Sequence, residues 1–228
     1  MAQFSLGRLT ELDSGFVLAP ERYDPRKHSL ESELTGRRLH DFVEVRRQII
    51  SKSTKGIDSC LIFDTGDAQH GFLTKAHREI SRRDDIGSAK KLVKAGDVII
   101  SRLRSYLKQI AWIDSGICEA GITIAVSTEF YVLSPKEPER KSIAFLVPFL
   151  RSIEVQSILA ASQEGGHHPR FHERVLIELN MPDALIECRD SLSHEVESAV
   201  LMARNYENSI KKADLLASAT LSSKVSLQ

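Results

Sequence analysis

Arg102, Arg104 and Lys108 are the residues of this chain best suited to chemistry with phosphates. They follow Val98-Ile99-Ile100-Ser101, a β-branched apolar run entered through Gly96-Asp97. Such a run after a Gly-Asp turn predicts a buried strand. Residues two apart on an extended chain share a face. The spacing therefore predicts that Arg102 and Arg104 project together where the strand exits. Guanidinium groups held on a rigid strand end match phosphates and guanine edges. A solvated strand end with salt bridges is the plainer reading of the same residues.

A second group is His167, His168 and His172, with Glu173 beside it. Clustered His and a carboxylate suit a metal ion. Adjacent His residues do not easily share one ion, however, and no HExxH-type pair accompanies them. Gly165-Gly166 lacks the lysine and further glycines of a phosphate loop, and no GxSxG elbow occurs. Nor is there an Asn/Asp-Pro-Pro-Tyr/Phe motif of the kind that grips a flipped adenine. The sequence predicts no catalytic site, no metal and no cofactor.

These residues need elements to position them. With 228 residues the chain is long enough for a sizeable core. Its net charge is zero, which argues against non-specific coating of nucleic acid but permits a basic face. Charge is unevenly spread. Residues 22–55 hold nine Lys/Arg against five acids, and residues 75–108 hold ten against four. Residues 183–207 hold six acids against two Arg. A basic body followed by an acidic segment suggests separate tasks. Cys60, Cys118 and Cys188 are far apart and odd in number, which points to a reducing compartment. The start of the chain has no secretory pattern and no apolar run reaches membrane length. A cytoplasmic protein is expected.

Strands are predicted at Cys60 to Phe63, Val98 to Ser101, Ile110 to Ile113, Gly121 to Val126 and Phe130 to Leu133. Asp41 to Ile50 fits a strand or a helical turn, and Tyr23 to Leu34 a short helix with Pro25 at its start. Ser142 to Ser162 has helical spacing, broken by the glycines and proline of the loop from Gln163 to Phe171, which carries Arg170. A short helix follows at Phe171 to Leu176, then an alternating strand ending at Pro182. Val98, Ile100, Phe130, Val132 and Phe149 are predicted core. Beyond Pro182 apolar residues recur by threes and fours in a narrow, coiled-coil-like stripe. Leu192, Val196, Ala199, Ala203, Tyr206 and Ile210 form its middle and are predicted to pair with another helix. A single helix packed on its own domain is the simpler alternative. The Ser-rich end from Ser218 is expected to fray.

In this order the pieces resemble half of a type I restriction-modification specificity subunit, from about Arg22 to Leu216. Arg22-Tyr23-Asp24-Pro25 resembles the family's entry segment. Lys94-Ala95-Gly96-Asp97 leading into Val98-Ile99-Ile100-Ser101 resembles its Gly-Asp strand, and Ser127-Thr128-Glu129-Phe130 its Ser-Thr-Glu-Phe strand. Phe145 to Ser152 is similar to its Leu-Arg-Ser helix. Gly165-Gly166-His167-His168-Pro169-Arg170 stands where the family has a Gly-x-x-x-Pro-Arg/Lys loop, and Leu179 to Pro182 where it has the strand before its long helix. There are two departures. The family carries two recognition domains and two helices where this chain has room for one of each, and the usual Pro-Pro-x-x-x-Gln run is reduced to Pro182-Asp183.

The resemblance implies an α+β fold: a mixed, strand-rich target recognition domain over residues 1–182, a long coiled-coil-like helix over 183–217 and a flexible tail over 218–228. It implies a non-catalytic subunit that reads a double-stranded DNA half-site and docks a DNA methyltransferase (modification) subunit, with a restriction subunit as a further partner. The implied DNA-binding set is Arg102, Arg104, Lys108, His167, His168 and Arg170. A homodimer through the helix would restore the two-domain layout. Three other readings stay open: a DNA-reading module of another defence or methylation complex, a protein-interaction adaptor that has lost DNA binding, and an enzyme using His167, His168 and His172, of which a bound metal would be the sign.

Overall fold

The continuous apolar run Val98-Ile99-Ile100 is explained by burial on both sides. In the computed structural model, which describes residues 34–75, 78–118, 121–136, 141–164 and 168–225, all four residues of this strand are buried. The strands in chain order are β1 (Arg37–Arg38), β2 (Val43–Val45), β3 (Ile49–Ile50), β4 (Ser59–Phe63), β5 (Ala68–Gln69), β6 (Phe72–Leu73), β7 (Ile80–Arg82), β8 (Lys90–Leu92), β9 (Val98–Ser101), β10 (Ile110–Trp112), β11 (Thr123–Ser127), β12 (Phe130–Pro135) and β13 (Asn180–Met181). The helices are α1 (Leu146–Arg151), α2 (Ile153–Ala161), α3 (Glu173–Ile177), α4 (Asp183–Glu187) and α5 (Arg189–Val225). This is an α+β chain: a strand-rich body followed by a long helix.

One sheet has the order β10-β9-β12-β2 and is antiparallel throughout. The other has the order β3-β8-β11-β4-β7, with β11 and β4 parallel. Alternation along β9 and β12 assigns the layers. Val98, Ile100, Tyr131 and Leu133 face α1 and α2 in one cluster with Phe145, Phe149 and Leu159. Ile99, Phe130 and Val132 face the second sheet and meet Phe63, Ile124 and Val126. A smaller cluster of Ile50, Cys60, Ile86 and Ala125 covers the far side of that second sheet. The five predicted core residues are all buried.

The Gly-Asp turn has a structural use. Asp97, 1% exposed, accepts two bonds from Arg46, one from the Lys94 amide and one at 2.7 Å from the Ser134 hydroxyl. A buried carboxylate is tolerable only when paired and fully bonded in this way. It ties the chain after β2 to the β8–β9 turn and to β12.

The two ends of the body meet where β1 pairs antiparallel with β13. Gly36 makes that approach possible: its φ is +136°, and a Cβ there would stand 2.0 Å from the Met181 carbonyl oxygen.

The helical region 142–162 is two helices. Ser152 is extended, and its hydroxyl accepts the Val155 amide at 3.3 Å, capping α2 and ending α1. The long helix after Pro182 is also interrupted, at Cys188, between α4 and α5. It then continues past Ala217, where a flexible tail was expected, to Val225. Thr220 and Ser222 return their hydroxyls to the carbonyls of Leu216 and Ser218 rather than competing with the helix. The predicted helix with Pro25, the Arg22-Tyr23-Asp24-Pro25 segment, Gly165, Gly166 and His167 lie outside the described residues.

The start of α5 lies on the body. Leu192 and Val196 pack against the first cluster, Val200 is buried, and the Ser193 hydroxyl accepts the Phe145 amide at 3.2 Å. Arg204 completes the attachment. It is buried, bonds Asp114 at 2.7 Å and the Leu73 carbonyl at 3.0 Å, and lies over the Phe72 ring. Glu207 pairs with Arg204 and accepts the Thr74 hydroxyl and the Lys75 amide. From Asn208 to Ser222 every residue is exposed. No described helix is long and apolar enough to cross a membrane.

Candidate nucleic-acid interface

Three loops converge at the exit of β9. The loop joining β9 to β10 starts at Arg102, whose amide donates to the Glu129 carbonyl at 2.9 Å. Glu129 belongs to the two-residue turn between β11 and β12. The segment 168–171 runs alongside: the Arg104 amide donates to the Pro169 carbonyl at 3.1 Å, and the Phe171 amide to the Arg102 carbonyl at 3.2 Å.

Arg102 and Arg170 meet on one carboxylate. Arg170 bonds Glu129 through both fork nitrogens at 2.9 Å, and Arg102 bonds it through Nε at 3.0 Å. Arg170 also donates Nη1 to the His168 carbonyl at 3.1 Å. Both guanidinium groups lower the Glu129 pKa to about 2, the hydrogen bonds from Arg170 contributing most. Lys91 donates to the Phe130 carbonyl at 2.6 Å and lies 5.4 Å from the Tyr131 ring. Burial, reinforced by the charge of Arg102, pushes its pKa down. Arg47 pairs with Glu173 nearby. Lys91, Arg47, Arg102 and Arg170 thus outnumber Glu129 and Glu173.

The extended-chain premise for Arg102 and Arg104 is not met. β9 stops at Ser101, Arg102 is in a bend, and Arg104 is left-handed at φ +50°. The Ser101 hydroxyl bonds Leu103 and turns the chain away from the strand direction. The loops still place Arg102 and Arg170 side by side, with the Arg104 backbone on Pro169. Lys108 closes the same turn, left-handed at φ +49°. Neither Arg104 nor Lys108 makes a side-chain hydrogen bond or ion pair among the described residues. Arg170 therefore has its donors engaged inside the protein, whereas Arg104 and Lys108 are available. His168 is exposed at the loop edge, and His172 pairs with Glu164 at 3.1 Å.

Sequence reasoning passed over Glu129 and Lys91. The signal for Glu129 was present: Thr128-Glu129 is a polar pair between two apolar runs, which marks a turn.

A pH prediction follows from this cluster. The Glu129 pKa is depressed below its ordinary value of 4.5. Its contribution to stability is therefore present above that value and is lost as pH falls toward about 2. An NMR titration of the Glu129 carboxyl carbon should give a midpoint near about 2. A midpoint at the ordinary carboxylate value would mean that the two arginines do not hold it.

No family profile and no curated protein matches the sequence. Its fold does match solved structures. One is a chain from work on complex assembly and conformational transition of the type I R-M system, with 19% identity and a TM-score of 0.55. The match covers 84% of this chain and 48% of that one. Another is the HsdS subunit from Thermoanaerobacter tengcongensis, with 17% identity and a TM-score of 0.49, covering 79% of this chain and 46% of that one. The chain spans about half the length of each. Over most of its residues, then, it shares the fold of a chain found in a type I restriction-modification system.

Proposed function

We propose that the chain is a non-catalytic specificity subunit of the type I restriction-modification kind, reading a short double-stranded DNA half-site. The observation that carries this reading is the fold shared over 84% of the chain with one from a type I R-M system. The loop cluster at the β9 exit supports it. Arg104 and Lys108, without side-chain partners among the described residues, supply cations for phosphates, and Arg102 and Arg170 are held on Glu129. Phosphate contacts position a protein on the duplex, and side chains at base edges select the sequence. His168 and Arg170 shape the loop beside this surface, in keeping with their proposed place in the DNA-binding set.

The purified chain should enrich a short motif from a pool of random-sequence duplexes. Recovery of an unenriched pool would count against DNA reading. A protein-interaction adaptor is the second reading, and one observation favours it: Glu129 already occupies the fork of Arg170 and the Nε of Arg102. The same selection separates the two.

The long helix supports docking of a methyltransferase subunit and of a second copy. Met202 and Tyr206 are exposed on either side of the Arg204 attachment, and Ile210, Leu215, Leu216 and Leu221 lie along the free half of α5 beyond it. Apolar side chains in such number on one projecting element suit an assembly surface. Ala199 is exposed and Ala203 half-buried at the edge of this stripe, while Leu192 and Val196 serve the attachment to the body. Antiparallel pairing of two copies would set two recognition domains apart along helices of about 55 Å, at 1.5 Å per residue. Light scattering at micromolar concentration should give a dimer mass. Tyr206→Glu with Ile210→Glu should give a monomer whose circular dichroism matches wild type, with a melting temperature lowered by the loss of pairing. A wild-type monomer, with or without a methyltransferase partner, would remove self-pairing.

A further inference from the structure

The turn Arg104–Lys108 combines features that ordinary surface turns lack. Both end residues are left-handed without being glycine, at φ +50° and +49°. Bulky side chains rarely adopt that conformation, and it persists only where the surroundings impose it. Here they do. The Arg104 amide is held by Pro169, the Leu107 amide by the Arg104 carbonyl and the Lys108 amide by the Ser105 carbonyl, all between 2.8 and 3.1 Å. Ser105 is buried with an unpartnered hydroxyl, and α2 lies against the turn. Strain and an unsatisfied buried group are both costly, and such costs concentrate at functional sites.

That cost presents two apolar side chains to solvent. Tyr106 is 63% exposed and Leu107 48%. They are flanked by Arg104 and Lys108, whose side chains have no hydrogen-bond or ion-pair partner among the described residues. The nearest acid of the neighbouring loop, Glu129, is occupied by Arg102 and Arg170. An apolar tip between two free cations fits a polyanion with an apolar interior, which is what a DNA groove offers.

We propose that Tyr106 and Leu107 enter a groove of the duplex and read bases by apolar contact, while Arg104 and Lys108 take the phosphates on either side. The proposal rests on the DNA-reading function above and names the residues that set its specificity. Apolar side chains recognise thymine methyl groups or wedge at base steps. Rigid backbone around the tip avoids an ordering cost on binding.

The test uses the full chain and the duplex it enriches from the random-sequence pool, followed by anisotropy. Tyr106→Ala with Leu107→Ala should lose preference for that duplex over a scrambled one by roughly ten-fold, with the salt slope kept. Tyr106→Phe should retain the preference. Arg104→Asn with Lys108→Asn, chosen because Asn tolerates the left-handed backbone, should weaken all duplexes alike and reduce the salt slope by about 2. Melting temperatures of all three variants should match wild type, since the changed side chains are exposed or unbonded. Unchanged preference in the Tyr106/Leu107 variant overturns this proposal and leaves the DNA-reading function standing. Failure of the wild type to enrich any duplex overturns both.

Discussion

An Arg204→Ala chain should lose about 3–5 kcal/mol of stability, because the substitution strands a buried carboxylate. Asp114 is buried and takes two bonds from this guanidinium, and Glu207 takes another. The Leu73 carbonyl loses its donor as well. Urea titration of both chains measures the difference. Arg204→Met with Asp114→Asn should recover part of the loss, since position 114 then carries no charge and the Glu207 carboxylate keeps its bonds from Thr74 and Lys75. A loss of less than about 1 kcal/mol on Arg204→Ala would place the cluster at an ordinary solvated surface. The consequence is more than stability. Arg204 and Glu207 are, among the described residues, the last attachments of α5 to the body before its exposed half, so together they fix the direction in which the helix leaves it.

Phe149→Ala should cost about 3–5 kcal/mol, the range for removing a buried aromatic ring. Phe149 lies on α1 among Val98, Ile100, Phe145 and Leu150, on the helix-covered side of the β9 sheet. The denaturation midpoint should fall with an unchanged slope. A shift near zero would mean that α1 does not cover that sheet. The side chain keeps 6% of its exposure, so the lower part of the range is the natural expectation.

The core was the most legible part of the sequence. β9, β12 and β4 announce themselves as dense apolar runs, because burial on both faces leaves few polar positions. β1, β5, β6 and β7 gave no such signal. They are two or three residues long and lie at edges or in small pairs, where register is set by tertiary contacts and not by pattern. Ser152 was legible as a cap only once α1 and α2 were separated; within a periodic window it reads as one more helical residue.

The site was half legible. Residue types picked out Arg102, Arg104, Lys108 and Arg170, but spacing misled as to why they are neighbours. Arg102 and Arg170 are far apart in sequence and meet because a third loop offers Glu129. The left-handed backbone at Arg104 and Lys108 has no sequence signature, since glycine and asparagine are the residues that announce it. The helix stripe concealed a division of labour. Leu192 and Val196 serve the body while Tyr206 and Ile210 remain exposed, and a single periodicity fits both.

DNA reading is the central claim, and the affinity of the purified chain for its enriched duplex across a range of salt concentrations tests it most directly. Anisotropy should show the logarithm of affinity falling linearly with the logarithm of salt, at a slope of about 0.9 per phosphate neutralised, with a scrambled duplex weaker at every salt. Absence of binding at low salt, or binding that ignores both salt and sequence, would contradict it.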